Sequence, residues 1–142
     1  MEFSQRHTLT GTAISVAAIL SYLTIVTVRA ATDGLPLAQV AWQGPMLWCV
    51  GLGGAVYALA YAAMRAQHRG QRVADERTER IDTQAEFAAA GLTGLGVLAA
   101  LVMLALDADS FWVANVLLLV TWLGSLVGAA VALAAYRGGL DR

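Results

Sequence analysis

The chain has 142 residues, 58% of them hydrophobic and 13% charged, with a mean hydropathy of +0.64. Soluble domains average about 45–50% apolar and about 25% charged residues, and a chain this short buries only about two-thirds of the surface it exposes when unfolded, so lipid is the expected solvent. The formal net charge of −1 leaves no footprint for nucleic acid, the absence of lysine excludes Schiff-base chemistry within the chain, and a lone cysteine, Cys49, excludes an internal disulfide or a CxxC redox pair.

Crossing the hydrocarbon core as a helix takes about 20 apolar residues. Residues 8–28 form the first run without a charge, preceded by Arg6. Its length exceeds the roughly 7–15 residues of a signal-peptide core, so it reads as a true span. The connection over 29–44 carries the turn signals Asp33-Gly34, Pro36 and Gly44, and Pro45 suits the first turn of the second span, 46–64. Between those signals, Leu35, Leu37, Val40 and Trp42 are expected along the membrane surface.

Residues 65–86 are the one sizeable polar connection. Gly70 is placed to end the extension of span two, and from about Val73 onward the composition favours a helix that runs unbroken into the third span, 87–106. Arg72, Glu76 and Arg80 fall at i,i+4 spacing along it. A minimal acidic connection, Asp107 to Ser110, then leads into the fourth span, 111–136, so spans three and four are expected as a tight antiparallel hairpin with Asp109 or Ser110 capping span four.

The arginines set the orientation. With both termini cytoplasmic, eight arginines lie inside and only Arg29 outside. Aromatic residues agree with that placement: Trp42, Trp48, Phe111 and Trp112 fall near the outer boundary, and Tyr61, Phe87 and Tyr136 near the inner one. Trp122 lies near mid-membrane, where it is expected to pack against a neighbouring helix.

None of the four apolar runs contains Asp, Glu, His or Arg, whereas proton relays, ion pathways and coupled transport ordinarily depend on ionisable groups inside the membrane. The hydroxyls of span one do not make a pore stripe, because Thr8, Thr12 and Ser15 share one helical face while Ser21 and Thr24 fall nearly opposite. They are expected to bond back to the helix backbone and to make interhelical contacts. Small residues are more regular. Gly124 and Gly128 form a GxxxG step continued by Ala132, and Gly54, Ala58 and Ala62 repeat the four-residue spacing in span two. Asn115, on the face of Trp122, is expected to make a polar interhelical hydrogen bond. His7 and His68 lie at the same membrane face, but two imidazoles without thiolates or carboxylates beside them make a poor metal or haem site, and a solvated interfacial role is expected. Asp107 and Asp109, in a four-residue hairpin, lack the pocket that acid–base catalysis requires.

Asp75-Glu76-Arg77, followed by Ile81 and Ala85 and leading into a span, resembles the DUF2178 family of small prokaryotic membrane proteins. Phe111-Trp112-Val113-Ala114-Asn115, an apolar run and a closing Tyr136-Arg137-Gly138 are similar to that family's last span. The resemblance covers roughly 72–138. It implies a four-helix membrane protein with no established activity, catalytic residue or cofactor. The short acidic connection before the last span departs from the family's pattern.

The sequence thus predicts an all-α, polytopic membrane protein: a single domain over 1–142 with four transmembrane helices, N-in and C-in, in a prokaryotic cytoplasmic membrane. No catalytic, cofactor or metal site is expected. The expected role is accessory or regulatory and non-enzymatic. Asp75, Glu76, Arg77, Arg80 and Ile81 would meet a membrane or cytosolic protein partner, and Gly54, Ala58, Asn115, Trp122, Gly124 and Gly128 would serve helix packing. The alternative is a homo-oligomeric channel or facilitator for a small solute, assembled through Gly124 and Gly128.

Overall fold

The computed structural model describes residues 3–67 and 76–136. Among the side chains, those of Glu76 and Arg77 lie outside this description, as do the whole of His68, Gly70, Asp75, Arg137 and Arg142. Four helices follow one another: α1 (Phe3–Asp33), α2 (Gln43–Gln67), α3 (Glu76–Ala105) and α4 (Ser110–Tyr136), with a short 3-10 turn at Leu37–Gln39. No strand occurs among the described residues. Each helix is long and apolar enough to cross a membrane. Each of the first three overruns its apolar run, because backbone hydrogen bonds do not stop where the hydrophobic residues do. The expected helical lead into span three is present, with α3 continuous from Glu76.

Their surfaces fit a lipid solvent. Leu47, Trp48 and Leu59 on α2 and Leu98 and Leu101 on α3 are all exposed, and together with their neighbours they make apolar surface far beyond what a soluble monomer tolerates. The chain is a four-helix, multi-pass membrane protein.

α3 packs along α4, α1 along α2, and α1 against α4, giving the lateral order α2–α1–α4–α3. The two described connections, 34–42 and 106–109, lie at one end of the bundle, the connection end. The starts of α1 and α3 and the finishes of α2 and α4 lie at the other, the terminal end.

Two left-handed residues stop the helices at the connection end. Gly34 (φ 64°) follows α1, and the Leu35 amide returns to the Ala30 carbonyl at 3.2 Å. Asp107 (φ 54°) follows α3, with the Ala108 amide on Met103 O at 2.9 Å and the Asp107 amide on Leu104 O at 3.1 Å. Both satisfy carbonyls that a helix end leaves open. Asp109 then caps α4, its Oδ1 accepting from the Phe111 amide at 2.8 Å. The hairpin of spans three and four is therefore formed as expected, with Asp109 as the capping residue.

The long connection differs from expectation in one respect. Leu35 and Leu37 are exposed, but Val40 and Trp42 turn into the protein, and Trp42 packs edge-on against Phe111 with ring centroids 5.7 Å apart. Arg29 holds this segment in place by donating from Nη1 to the Ala41 carbonyl at 3.0 Å.

The α3–α4 seam is made by glycines. A β-carbon at Gly124 would stand 2.8 Å from the Ala89 carbonyl oxygen, and one at Gly128 would stand 2.9 Å from that of Ala85. On the facing helix, a β-carbon at Gly96 would meet Val120 Cγ1 at 2.5 Å. Close backbone approach of this kind is what small residues permit between helices in lipid. Gly54 has nothing within 4 Å of the equivalent position.

Three substitutions test these geometries. Gly124→Ala is expected to destabilise the detergent-solubilised protein by about 1–3 kcal/mol, since backbone and not a flexible side chain must yield. Gly54→Ala is expected to stay within about 0.5 kcal/mol of the parent in the same SDS titration. Asp107→Gly removes the steric cost of the left-handed cap and is expected to stabilise by about 0.5–1 kcal/mol, read as a rise in thermal midpoint.

Candidate functional site

Polar chemistry inside the bundle gathers in two places. Near the connection end, Tyr22 of α1 is almost wholly buried and donates from its hydroxyl to Asn115 Oδ1 at 2.8 Å. The Asn115 amide nitrogen in turn donates to the Phe111 carbonyl at 2.8 Å, one turn back along α4. Tyr22 and Val26 pack there with Trp42 and Phe111 in one cluster. Asn115 thus makes the interhelical bond expected of it, with Tyr22 as its partner.

The second place is a cavity of about 630 Å³ between the two hairpins. α1 and α4 form its floor, and α2 and α3, which do not pack against each other, form its flanks. Toward the connection end it is lined by Tyr22, Cys49 and Leu118, and toward the terminal end by His7, Tyr57, Asp82 and Glu86. Cys49, the lone thiol, is half-buried in this wall.

His7 is not merely solvated at the interface as expected. Its Nε2 lies 2.6 Å from the Tyr57 hydroxyl, and its ring lies 5.5 Å from the Tyr57 ring and 5.1 Å from the Tyr61 ring, centroid to centroid. Gly11, one turn on, lets the Tyr57 ring lie against α1, since a β-carbon there would meet Cε2 at 3.0 Å. The signal for this contact was the i,i+4 spacing of Tyr57 and Tyr61 opposite His7 in an antiparallel pair. Asp82 accepts from the Tyr136 hydroxyl at 3.0 Å, tying the start of α3 to the end of α4. Glu86 follows one turn later and is exposed at the rim.

Four hydroxyls of α1 bond back to their own helix, as expected. Thr12 bonds to Thr8 O at 2.8 Å, Ser15 to Thr12 O at 2.9 Å, Ser21 to Ala17 O at 2.8 Å and Thr27 to Leu23 O at 2.7 Å. Each therefore spends its proton on its own helix. Trp122 also lines the cavity, and its buried indole N–H has no acceptor among the described residues.

The other predicted positions separate into two groups. Gly124 and Gly128 are buried in the α3–α4 seam, while Gly54 and Ala58 on α2 remain exposed. Arg80 is exposed on the first turns of α3, but Ile81 is buried against Ala85, Ala132 and Ala135. The structure thus places Ile81 as an anchor of α3 on α4 and leaves Arg80 on the surface. No group of three or more His, Cys, Asp or Glu with metal-binding geometry occurs among the described residues.

Comparison with family models, with characterised proteins and with solved structures finds no match to this chain. The resemblance to the DUF2178 family rests on its short motifs alone.

Removing the buried acceptor or donor breaks the buried side-chain hydrogen bond that joins the two hairpins, Tyr22 to Asn115. Tyr22→Phe and Asn115→Leu are each expected to destabilise by about 0.5–2 kcal/mol. A double-mutant cycle on the pair should return a coupling near 0.6 kcal/mol, the typical value for such bonds in a membrane. Strict additivity of the two losses would show that the bond contributes nothing.

Proposed function

We propose that the protein is a non-enzymatic accessory or regulatory component of a prokaryotic cytoplasmic membrane, N-in and C-in, that acts by packing against a partner in the bilayer. The observation that carries this reading is the state of α2. Gly54 and Ala58 are exposed, with Gly54 opening onto the cavity between the hairpins, and no residue of the helix's apolar stretch is fully buried. Faces of this kind let another helix approach closely. The polar segment of Asp75, Glu76, Arg77 and Arg80 would supply a second contact outside the bilayer. Its mixed charges favour a protein partner over anionic lipid, because the acids offset much of the basic attraction.

The channel reading has less support. Gly124 and Gly128, through which it would assemble, are spent on the α3–α4 seam.

Copurification from the native membrane in a mild detergent tests the reading. A stoichiometric foreign protein is expected with the parent chain, and it should be lost on Ala58→Leu and on replacing Asp75, Glu76 and Arg77 together by alanine, with membrane insertion retained. Recovery unchanged by both variants would count against the proposal. A thiol introduced at position 69 should label only from the cytoplasmic side, and labelling from outside would reverse the orientation.

A further inference from the structure

The cavity between the hairpins has a length as well as a volume. It runs along α1 from His7 to Tyr22 and along α4 from Leu118 to Ala132. At a helical rise of about 1.5 Å per residue, both stretches are about 20–22 Å long. A volume of about 630 Å³ over that length leaves a mean cross-section of about 30 Å², a groove roughly 6 Å across. An α-helix with its side chains is about 10–12 Å across, so no helix enters it. A single hydrocarbon chain, whose carbons keep their neighbours about 4 Å away, does enter. An extended chain advances about 1.3 Å per methylene, so about 16 carbons fill the length.

Polar side chains occur along the whole groove, but most of their donors are already bonded within the protein. Thr12 and Ser15 donate to carbonyls of α1, Ser125 donates to the Trp122 carbonyl, Tyr22 donates to Asn115, and the Tyr57 hydroxyl is paired with His7. The Trp122 indole nitrogen lacks an acceptor among the described residues but is covered by protein. A water molecule at such a site needs roughly 2–4 polar partners. The middle of the groove offers the Thr121 hydroxyl and, deeper, the weakly polar Cys49 thiol. Too narrow for a helix and too poor in partners for a column of water, the groove suits hydrocarbon.

The fold also sets the direction of an occupant. Tyr22, Val26, Trp42 and Phe111 close the connection end, whereas Glu86 is exposed at the rim of the terminal end. A chain enters from the bilayer between α2 and α3, which do not pack against each other. We propose that the groove binds one acyl chain of a membrane phospholipid, about 16 carbons long, with its terminal methyl beside Cys49 and its head outside the terminal end. The second chain of that lipid stays in the bilayer, and selection is by chain length because the head lies outside the groove.

Cys49, the only thiol, packs with Tyr22 at the closed end and so reads how deep an occupant reaches. Full-length protein is purified in decyl maltoside, whose chain of about 10 carbons is too short to reach Cys49 from the terminal end. Alkylation by N-ethylmaleimide is followed with added lysophosphatidylcholines, and with matching lysophosphatidylglycerols, of graded chain length. Chains of about 16 carbons or more are expected to slow alkylation about tenfold when present at about ten times their Kd, and chains of about 10 carbons to leave the rate unchanged. The two heads should protect alike. Native mass determination of the membrane-extracted protein is expected to show one phospholipid retained per chain. Ser15→Phe and Ala129→Phe each place a ring across the groove and should abolish both protection and retention, with the thermal midpoint reporting that the fold persists. The chain-length series needs neither variant. Protection that ignores chain length or follows the head, no retained lipid, a polyprenyl lipid in its place, or protection unchanged in both variants would overturn the proposal. None of these readouts involves a protein partner, so the result is separable from the fate of the accessory reading.

Discussion

The architecture hangs on the joint between α1 and α4. In water, two apolar hairpins would be driven together by the loss of hydrated surface. In a bilayer that force is absent, because lipid chains solvate leucine as well as protein does, and association falls to shape and to hydrogen bonds between helices. The Tyr22–Asn115 bond stands at this joint, buried and doubly anchored, since Asn115 also returns to its own backbone. Around it, Val26, Trp42 and Phe111 close the connection end. Toward the other end, the space between the two hairpins is the cavity. One tight contact at one end and an opening at the other are two sides of a single arrangement.

The two hairpins are not equivalent in how they are held. α3 and α4 are joined by backbone approach at Gly124 and Gly128 and by the burial of Ile81 with Ala85, Ala132 and Ala135. α1 and α2 rest on bulkier contacts, with the Tyr57 ring on Gly11 and the His7–Tyr57 hydrogen bond near the terminal end. Glycine seams leave little slack, because a carbonyl oxygen cannot move aside without moving its helix. Side-chain contacts such as Tyr57 on Gly11 can re-pack by rotamer changes. The α1–α2 hairpin is therefore the one better able to adjust its distance from the rest, and α2 forms one flank of the cavity.

Much of this was legible in the residues. Four apolar runs, arginines clustered in one connection, Asp109 before the last run and Asn115 one turn inside it are local signals, and each of the corresponding helices, the cap and the hydrogen bond follow from local rules. The partner of Asn115 was not legible, because Tyr22 is one of several polar groups on α1 and only the crossing of α1 over α4 selects it. The inward turn of Val40 and Trp42 was missed for a similar reason: amphipathic spacing in a loop does not say which surface the loop meets. The GxxxG step was visible, but not whether it would be spent within the chain. Small residues on α2 and on α4 read alike in sequence, and only the packing order shows that α4 uses its face internally while α2 does not.

The cavity had no sequence signature because its lining is drawn from all four helices at positions that are individually ordinary. Its charge asymmetry nevertheless has a simple origin. Asp82 and Glu86 precede the apolar run of α3 by less than two turns, so they stay at the polar boundary while their helical face still points between the hairpins. The arginines nearest to them in sequence, Arg77 and Arg80, are offset from Glu86 by intervals that do not share its face, and Arg80 is exposed away from the cavity. Glu79 lies with Arg80 on that other side, so α3 turns Asp82 and Glu86 toward the cavity while keeping an acid and a base on its outer side. The same short stretch of α3 therefore contributes both to the rim of the cavity and to the outer surface of the bundle.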